Sequence, residues 1–214
     1  MTIKTPWSSE VAEGCRLERE EDLRRELVHY GRWLYRLGYT PATAGNLSVR
    51  LDESTLLVTP TGASKHQLRR SDMVLVDLKG RKVEGKLNPS SDTPTHRRLY
   101  LAFKNIGGVV HTHSTYATAF AQAGKPIPIY GTTHADYFAG DIPVTRELAD
   151  WQIEGAYEWE TGNVIAERVF ADNVDPLHYP GMLVNRHAPF TWGITVAEAV
   201  EVAPEAPSAA TESA

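Results

Sequence analysis

The feature that most constrains this chain is the apolar run Ile106-Gly107-Gly108-Val109-Val110, which ends in His111-Thr112-His113. A short apolar run of this kind reads as a strand. Side chains two apart on a strand project to the same side, so both imidazoles leave the strand end together, placed to share one metal ion. The competing reading is two polar residues at a strand terminus, one hydrogen-bonded and one solvated. The segment Val184-Asn185-Arg186-His187-Ala188-Pro189-Phe190 shifts the balance, because His187 also follows an apolar strand. A third imidazole from a neighbouring strand end completes a site of three nitrogens with an open fourth position, as in catalytic zinc sites. Three imidazoles also accept manganese or cobalt.

Composition narrows the class. The 214 residues suffice for one large domain, and 42% hydrophobic with 23% charged residues is ordinary for a globular protein. A net charge of −5 gives no nucleic-acid footprint. Cys15 is the only cysteine, which excludes an internal disulfide and a cysteine-rich zinc site. No apolar run approaches the roughly 20 residues that span a bilayer, and residues 1–10 have no signal-peptide hydrophobic segment, so a cytoplasmic enzyme is expected.

The pattern divides the chain into an N-terminal extension (1–15), a domain (16–200) and a low-complexity, disordered tail (201–214) rich in Pro, Ala and Ser. Leu23, Leu27, Tyr30, Leu34 and Leu37 recur at helical spacing and predict a helix over 17–37, with the charged run 16–25 as its solvated face. Strands are expected at 46–50, 55–58, 73–77, 108–112 and 181–185, with strand-like segments at 127–130 and 142–145. Helices are expected near 94–105 (Thr93 as N-cap and Pro94 first), 116–123, 163–170 and from 195. The fold class is α/β: a single domain with a central mixed, largely antiparallel sheet flanked by helices.

Other segments offer chemistry. In Asn88-Pro89-Ser90-Ser91-Asp92-Thr93-Pro94, two serines and free amides precede a helix N-terminus, which suits a phosphate dianion. Gly45-Asn46 and Thr61-Gly62-Ala63-Ser64 are small, donor-rich turns that could close the same pocket, although such residues also fill ordinary turns. Asp92 either favours the helix dipole or presents a carboxylate to the metal or its water. Asp136, in Gly131-Thr132-Thr133-His134-Ala135-Asp136-Tyr137, is a candidate acid or base, with a solvated loop carboxylate as the alternative.

The blocks from Pro89 to His96, Gly107 to Ser114, Gly131 to Tyr137 and Tyr157 to Asn163, with His187-Ala188-Pro189-Phe190, resemble the L-ribulose-5-phosphate 4-epimerases of the class II aldolase/adducin superfamily. The resemblance covers about residues 21–200. It implies a zinc enzyme acting on a pentulose phosphate. The hydrogen at C4 is not next to the carbonyl, so its configuration is changed by breaking and remaking the C3–C4 bond. The dihydroxyacetone enediolate so produced is stabilised by a metal Lewis acid while glycolaldehyde phosphate turns over. By matching position, His111, His113 and His187 look like the metal ligands, with Asp92 at the metal and also catalytic. Asn46, Thr61, Gly62, Ser90 and Ser91 look like the phosphate site, and Asp136 like one of two proton-transfer groups. The resemblance also implies a homotetramer with sites at subunit interfaces.

Asp92, where related fuculose- and rhamnulose-phosphate aldolases have Glu, favours epimerase over aldolase. Two departures pull the other way. Epimerases often carry Lys where this chain has Thr59, so its 59–64 turn looks more like the aldolases. The family also places a catalytic tyrosine in a C-terminal helical segment, and no Tyr follows Tyr179 here. A class II sugar-phosphate aldolase or decarboxylase, or a catalytically impaired homologue, remains the alternative.

Overall fold

The computed structural model describes residues 13–211, so most of the expected N-terminal extension lies outside the described residues. The chain begins with α1 (Glu13–Arg36) and then lays down β1 (Asn46–Arg50), β2 (Thr55–Val58), β3 (Val74–Asp77) and β4 (Lys82–Glu84) as successive antiparallel neighbours. Helix α2 (Thr93–Ala102) leads into β5 (Gly108–His111), which crosses back to pair with β1. After α3 (Thr115–Gln122), α4 (Thr132–Tyr137), α5 (Asp150–Glu154) and α6 (Tyr157–Ala171), strands β6 (Gly181–Leu183) and β7 (Pro189–Gly193) complete the sheet, and α7 (Val196–Thr211) follows. The strand order is β4-β3-β2-β1-β5-β7-β6, and every strand pairing is antiparallel. Among the described residues the one parallel element is an isolated bridge between Val144 and Leu183.

Both faces of the sheet are covered apart from the exposed edge strand β4, and β2, β3 and β5 accordingly read as near-continuous apolar runs. Leu56, Val58, Val74, Val76 and Val109 point to one side, where they meet Leu99, Tyr100 and Phe103 of α2 and Ile165 and Val169 of α6. The alternating Leu47, Val49, Leu57, Leu75 and Val110 point to the other, against Leu27 and Leu34 of α1 and Val196, Ala199 and Val200 of α7. The result is a three-layered α/β domain with the sheet in the middle. Close approach is required where β5 meets α7: a Cβ on Gly108 would lie 2.5 Å from the Val196 Cα.

Several expectations need correction. The 127–130 and 142–145 segments form only an isolated bridge between Ile127 and Ile142. Pro126 and Pro128 flank Ile127, and Pro143 follows Ile142, so too few amide donors remain for a ladder. The packed chain extends beyond position 200: Val196, Ala199, Val200 and Ala203 recur at helical spacing, and Val202 and Ala203 are buried. The charged run 16–25 is not wholly solvated either. Glu20 and Arg24, one turn apart, are buried in line with Leu27. The Arg24 guanidinium donates to Glu20 Oε1 at 2.5 and 2.9 Å and to the Met73 carbonyl at 3.0 Å, so this pair ties α1 to the residue that leads into β3.

Candidate metal centre

Strand pairing assembles the site. Asn46 on β1 is directly opposite His111 on β5, and His111 is directly opposite Phe190 on β7, so the three side chains form a row across the sheet. The His111 ring stacks on Phe190 with centroids 4.1 Å apart. His113 follows two residues later. A tight turn after β6 brings in His187: its amide donates to the Val184 carbonyl at 2.9 Å, and Arg186 takes a positive φ of 61°. One potential ligand atom from each of His111, His113 and His187 lies within 4.8 Å of the others, the only such group of metal-binding side chains among the described residues. His187 Nε2 is 3.2 Å from His111 Nε2.

This donor set fits a divalent ion. His111 Nδ1 donates to the Pro189 carbonyl at 2.9 Å, which fixes the tautomer and leaves the Nε2 lone pair facing the other imidazoles. Burial pushes the His111 imidazole well below its usual range, and His187 and His113 beside it push further the same way. Burial also lowers His113 and His187, with the Asp92 charge pulling against it in both. Three neutral imidazoles turned towards one point are the state in which a metal is bound.

Asp92 occupies the N-cap of α2, with Thr93 inside the helix, one residue earlier than the sequence predicts. Its carboxylate makes no cap hydrogen bond. Instead Oδ2 accepts from Asn46 Nδ2 at 2.6 Å and lies 3.9 Å from His111 Nε2. The carboxylate of this N-cap aspartate is therefore spent on Asn46 and the histidine cluster and not on its own helix. The structure thus brings Asn46 and Asp92 together with the histidines.

The turn carrying Thr61 and Gly62 is drawn beside the serines. The Thr61 amide donates to the Asn88 carbonyl and the Ser90 amide to the Thr59 carbonyl, both at 3.1 Å. Ser90 is buried, while Thr61, Gly62 and Ser91 are exposed. Asp136 is not brought to the cluster. It is exposed on α4 and makes no hydrogen bond or ion pair among the described residues.

Three residues at the site escaped sequence reasoning. His96, fully buried on α2, bonds Asn46 and Ser48. Tyr157, the first residue of α6, presents its ring edge-on to His187 with centroids 6.2 Å apart, and burial raises its phenol. Lys65 is buried behind the 61–64 turn. Its ammonium donates to the Thr43 and Ala63 carbonyls, both at 3.2 Å, and burial lowers it to about 8 against the pull of Asp92. The signal for His96 was its spacing of one helical turn from Asp92; Lys65 left none.

Comparison with known proteins identifies the family and the fold. The model of the class II aldolase and adducin N-terminal domain matches residues 25–211. Among solved structures, an L-fuculose 1-phosphate aldolase is 26% identical, with a TM-score of 0.73, over 89% of this chain and 84% of that one. YgbL of Klebsiella pneumoniae, assigned to the broad class of aldolase/epimerase/decarboxylase with no single activity established, is 30% identical, with a TM-score of 0.72, over 90% of this chain and 88% of its own. The L-fuculose-1-phosphate aldolase of Thermus thermophilus, 22% identical with a TM-score of 0.72 over 90% and 94% of the two chains, shares the fold. No helix among the described residues is long and apolar enough to cross a membrane. The chain belongs to the class II aldolase and adducin N-terminal domain family.

Proposed function

We propose that this protein is a zinc-dependent L-ribulose-5-phosphate 4-epimerase, interconverting L-ribulose 5-phosphate and D-xylulose 5-phosphate by breaking and re-forming the C3–C4 bond. The observation that carries the reading is Asp92, turned away from its own helix to face three neutral imidazoles. His111, His113 and His187 would hold the ion, zinc by preference for this ligand set. When bound, it supplies Lewis-acid stabilisation of negative charge developing on substrate oxygens. The Thr61-Gly62 turn and Ser90-Ser91, with the spare Asn46 N–H, hold the phosphate, so the aldehyde fragment is retained between cleavage and re-addition. A carboxylate takes the C4 hydroxyl proton as the C3–C4 electron pair departs. The aldehyde turns, the pair returns to its other face, and a proton is handed back to the C4 oxygen. Asp92 serves the metal side and Asp136 one face of C4. Asp136 is exposed on α4 and bonded to nothing among the described residues; in this reading it serves a site formed with a neighbouring copy, in a cytoplasmic homotetramer.

A second reading, a sugar-phosphate aldolase, is favoured by the likeness to an L-fuculose 1-phosphate aldolase at 26% identity. One assay separates the two. Zinc-loaded protein is incubated with L-ribulose 5-phosphate, and the products are resolved. D-xylulose 5-phosphate supports the epimerase. Glycolaldehyde phosphate without epimer supports the aldolase, and intact substrate removes both for this sugar.

A further inference from the structure

Helix α2 and strand β1 are joined by a ladder of polar side chains, of which the proposed mechanism uses only the Asp92 and Asn46 end and leaves His96, Ser48, Tyr100 and Arg50 without a role. Four residues of helix advance about 6 Å and two residues of strand about 6.8 Å, so side chains at these spacings stay in step over a few rungs. Asp92, His96 and Tyr100 descend one face of α2, and Asn46, Ser48 and Arg50 descend one face of β1. Asp92 meets Asn46; His96 meets Asn46 at 2.6 Å through Nε2 and Ser48 at 2.6 Å through Nδ1; Tyr100 meets Ser48 at 2.9 Å. Arg50 closes the far end, donating to the Tyr100 carbonyl at 2.7 Å.

Every proton in this chain has a forced place. A carboxylate only accepts, so the Asn46 edge facing Asp92 is its NH2 and the edge facing His96 is its carbonyl oxygen. His96 Nε2 must then carry a proton. Burial holds this imidazole neutral, lowering it to about 3, so Nδ1 is bare and accepts from the Ser48 hydroxyl. The Ser48 oxygen in turn accepts from the Tyr100 phenol. If the tautomer were reversed, Nε2 would face the Asn46 oxygen lone pair to lone pair, and the amide would turn over. Its oxygen would then face Asp92.

We propose that His96 is a positioning residue: by donating from Nε2 it fixes the Asn46 amide so that its N–H edge holds the Asp92 carboxylate against the histidine cluster. The inference rests on Asp92 being the working carboxylate of the proposed reaction, and its test can fail separately. Three substitutions probe it. His96→Gln retains a donor where Nε2 lies, His96→Leu removes it, and Ser48→Ala frees the tautomer while leaving the imidazole. In the zinc-loaded protein, His96→Leu is expected to lower kcat about 10- to 100-fold with unchanged zinc stoichiometry. His96→Gln is expected to restore most of that loss, and Ser48→Ala to fall between them. A Gln variant no better than Leu, or a zinc-replete Leu variant with full kcat, overturns the proposal. Long-range 1H–15N spectra of the wild-type imidazoles give a readout that needs no variant and no turnover. An Nε2-protonated His96 is expected, and an Nδ1-protonated His96 overturns the proposal. If the wild type does not act on L-ribulose 5-phosphate, the functional reading fails while the spectrum still tests the tautomer.

Discussion

Gly45 and Gly62 provide a matched pair for testing how the backbone holds the metal centre. Both take left-handed conformations, with φ of 72° and 67°. Alanine at either site therefore incurs a similar conformational cost of about 1–2 kcal/mol. The surroundings differ. A Cβ on Gly62 meets nothing within 4 Å, whereas one on Gly45 would sit 2.6 Å from Thr40 Cγ2 and 2.8 Å from the His111 carbonyl oxygen. That oxygen belongs to the residue paired with Asn46, so neither strand can yield without moving a site residue. Overpacking of this kind adds about 1–3 kcal/mol. Gly62→Ala should therefore lose about 1–2 kcal/mol of stability, and Gly45→Ala about 2–5 kcal/mol. The second also shifts His111 by a few tenths of an ångström, enough to weaken zinc by about tenfold. Urea unfolding of the metal-free proteins measures the first quantity, and competition with a chromophoric chelator the second. Equal destabilisation in the two variants, with zinc affinity unchanged in both, would refute the reasoning.

Substitution at the cluster should separate binding from turnover. His187→Ala removes one of three nitrogens and should weaken zinc by more than the roughly 10- to 100-fold of an outer-shell change, read by chelator competition. Asp92→Asn should retain stoichiometric zinc by metal analysis yet lose about 100- to 10,000-fold in kcat; comparable loss of metal would make Asp92 a ligand rather than a base. Lys65 gives a pH signature. Its folded value of about 8 lies below its ordinary 10.5, so between these limits the unfolded chain holds a proton that the folded chain does not. Stability should consequently rise with pH across that window, by up to about 1.4 kcal/mol per unit, and Lys65→Met should flatten the slope in urea midpoints.

What could be read in advance followed the range of the interaction involved. The strands from Asn46, Thr55 and Gly108 were legible because alternation and apolar runs are local, and His111 with His113 were legible for the same reason. His187 was legible as a residue, but its meeting with His111 depends on β5 lying beside β7, a long-range pairing that no local pattern encodes. The buried Glu20–Arg24 pair was missed because polar residues at helical spacing read as a solvated face, and the Asn46–His96–Asp92 contacts because they join β1 to α2 across a long stretch of chain. Only the neighbouring element reveals that they are buried. Asp136 marks the corresponding limit of a single chain. Among the described residues its carboxylate makes no hydrogen bond or ion pair, so its motif and not a contact speaks for a role. Under the proposed function, the strand ends and the α2 terminus of one subunit supply the metal half, and the exposed helix α4 supplies the proton-transfer half to a neighbouring copy.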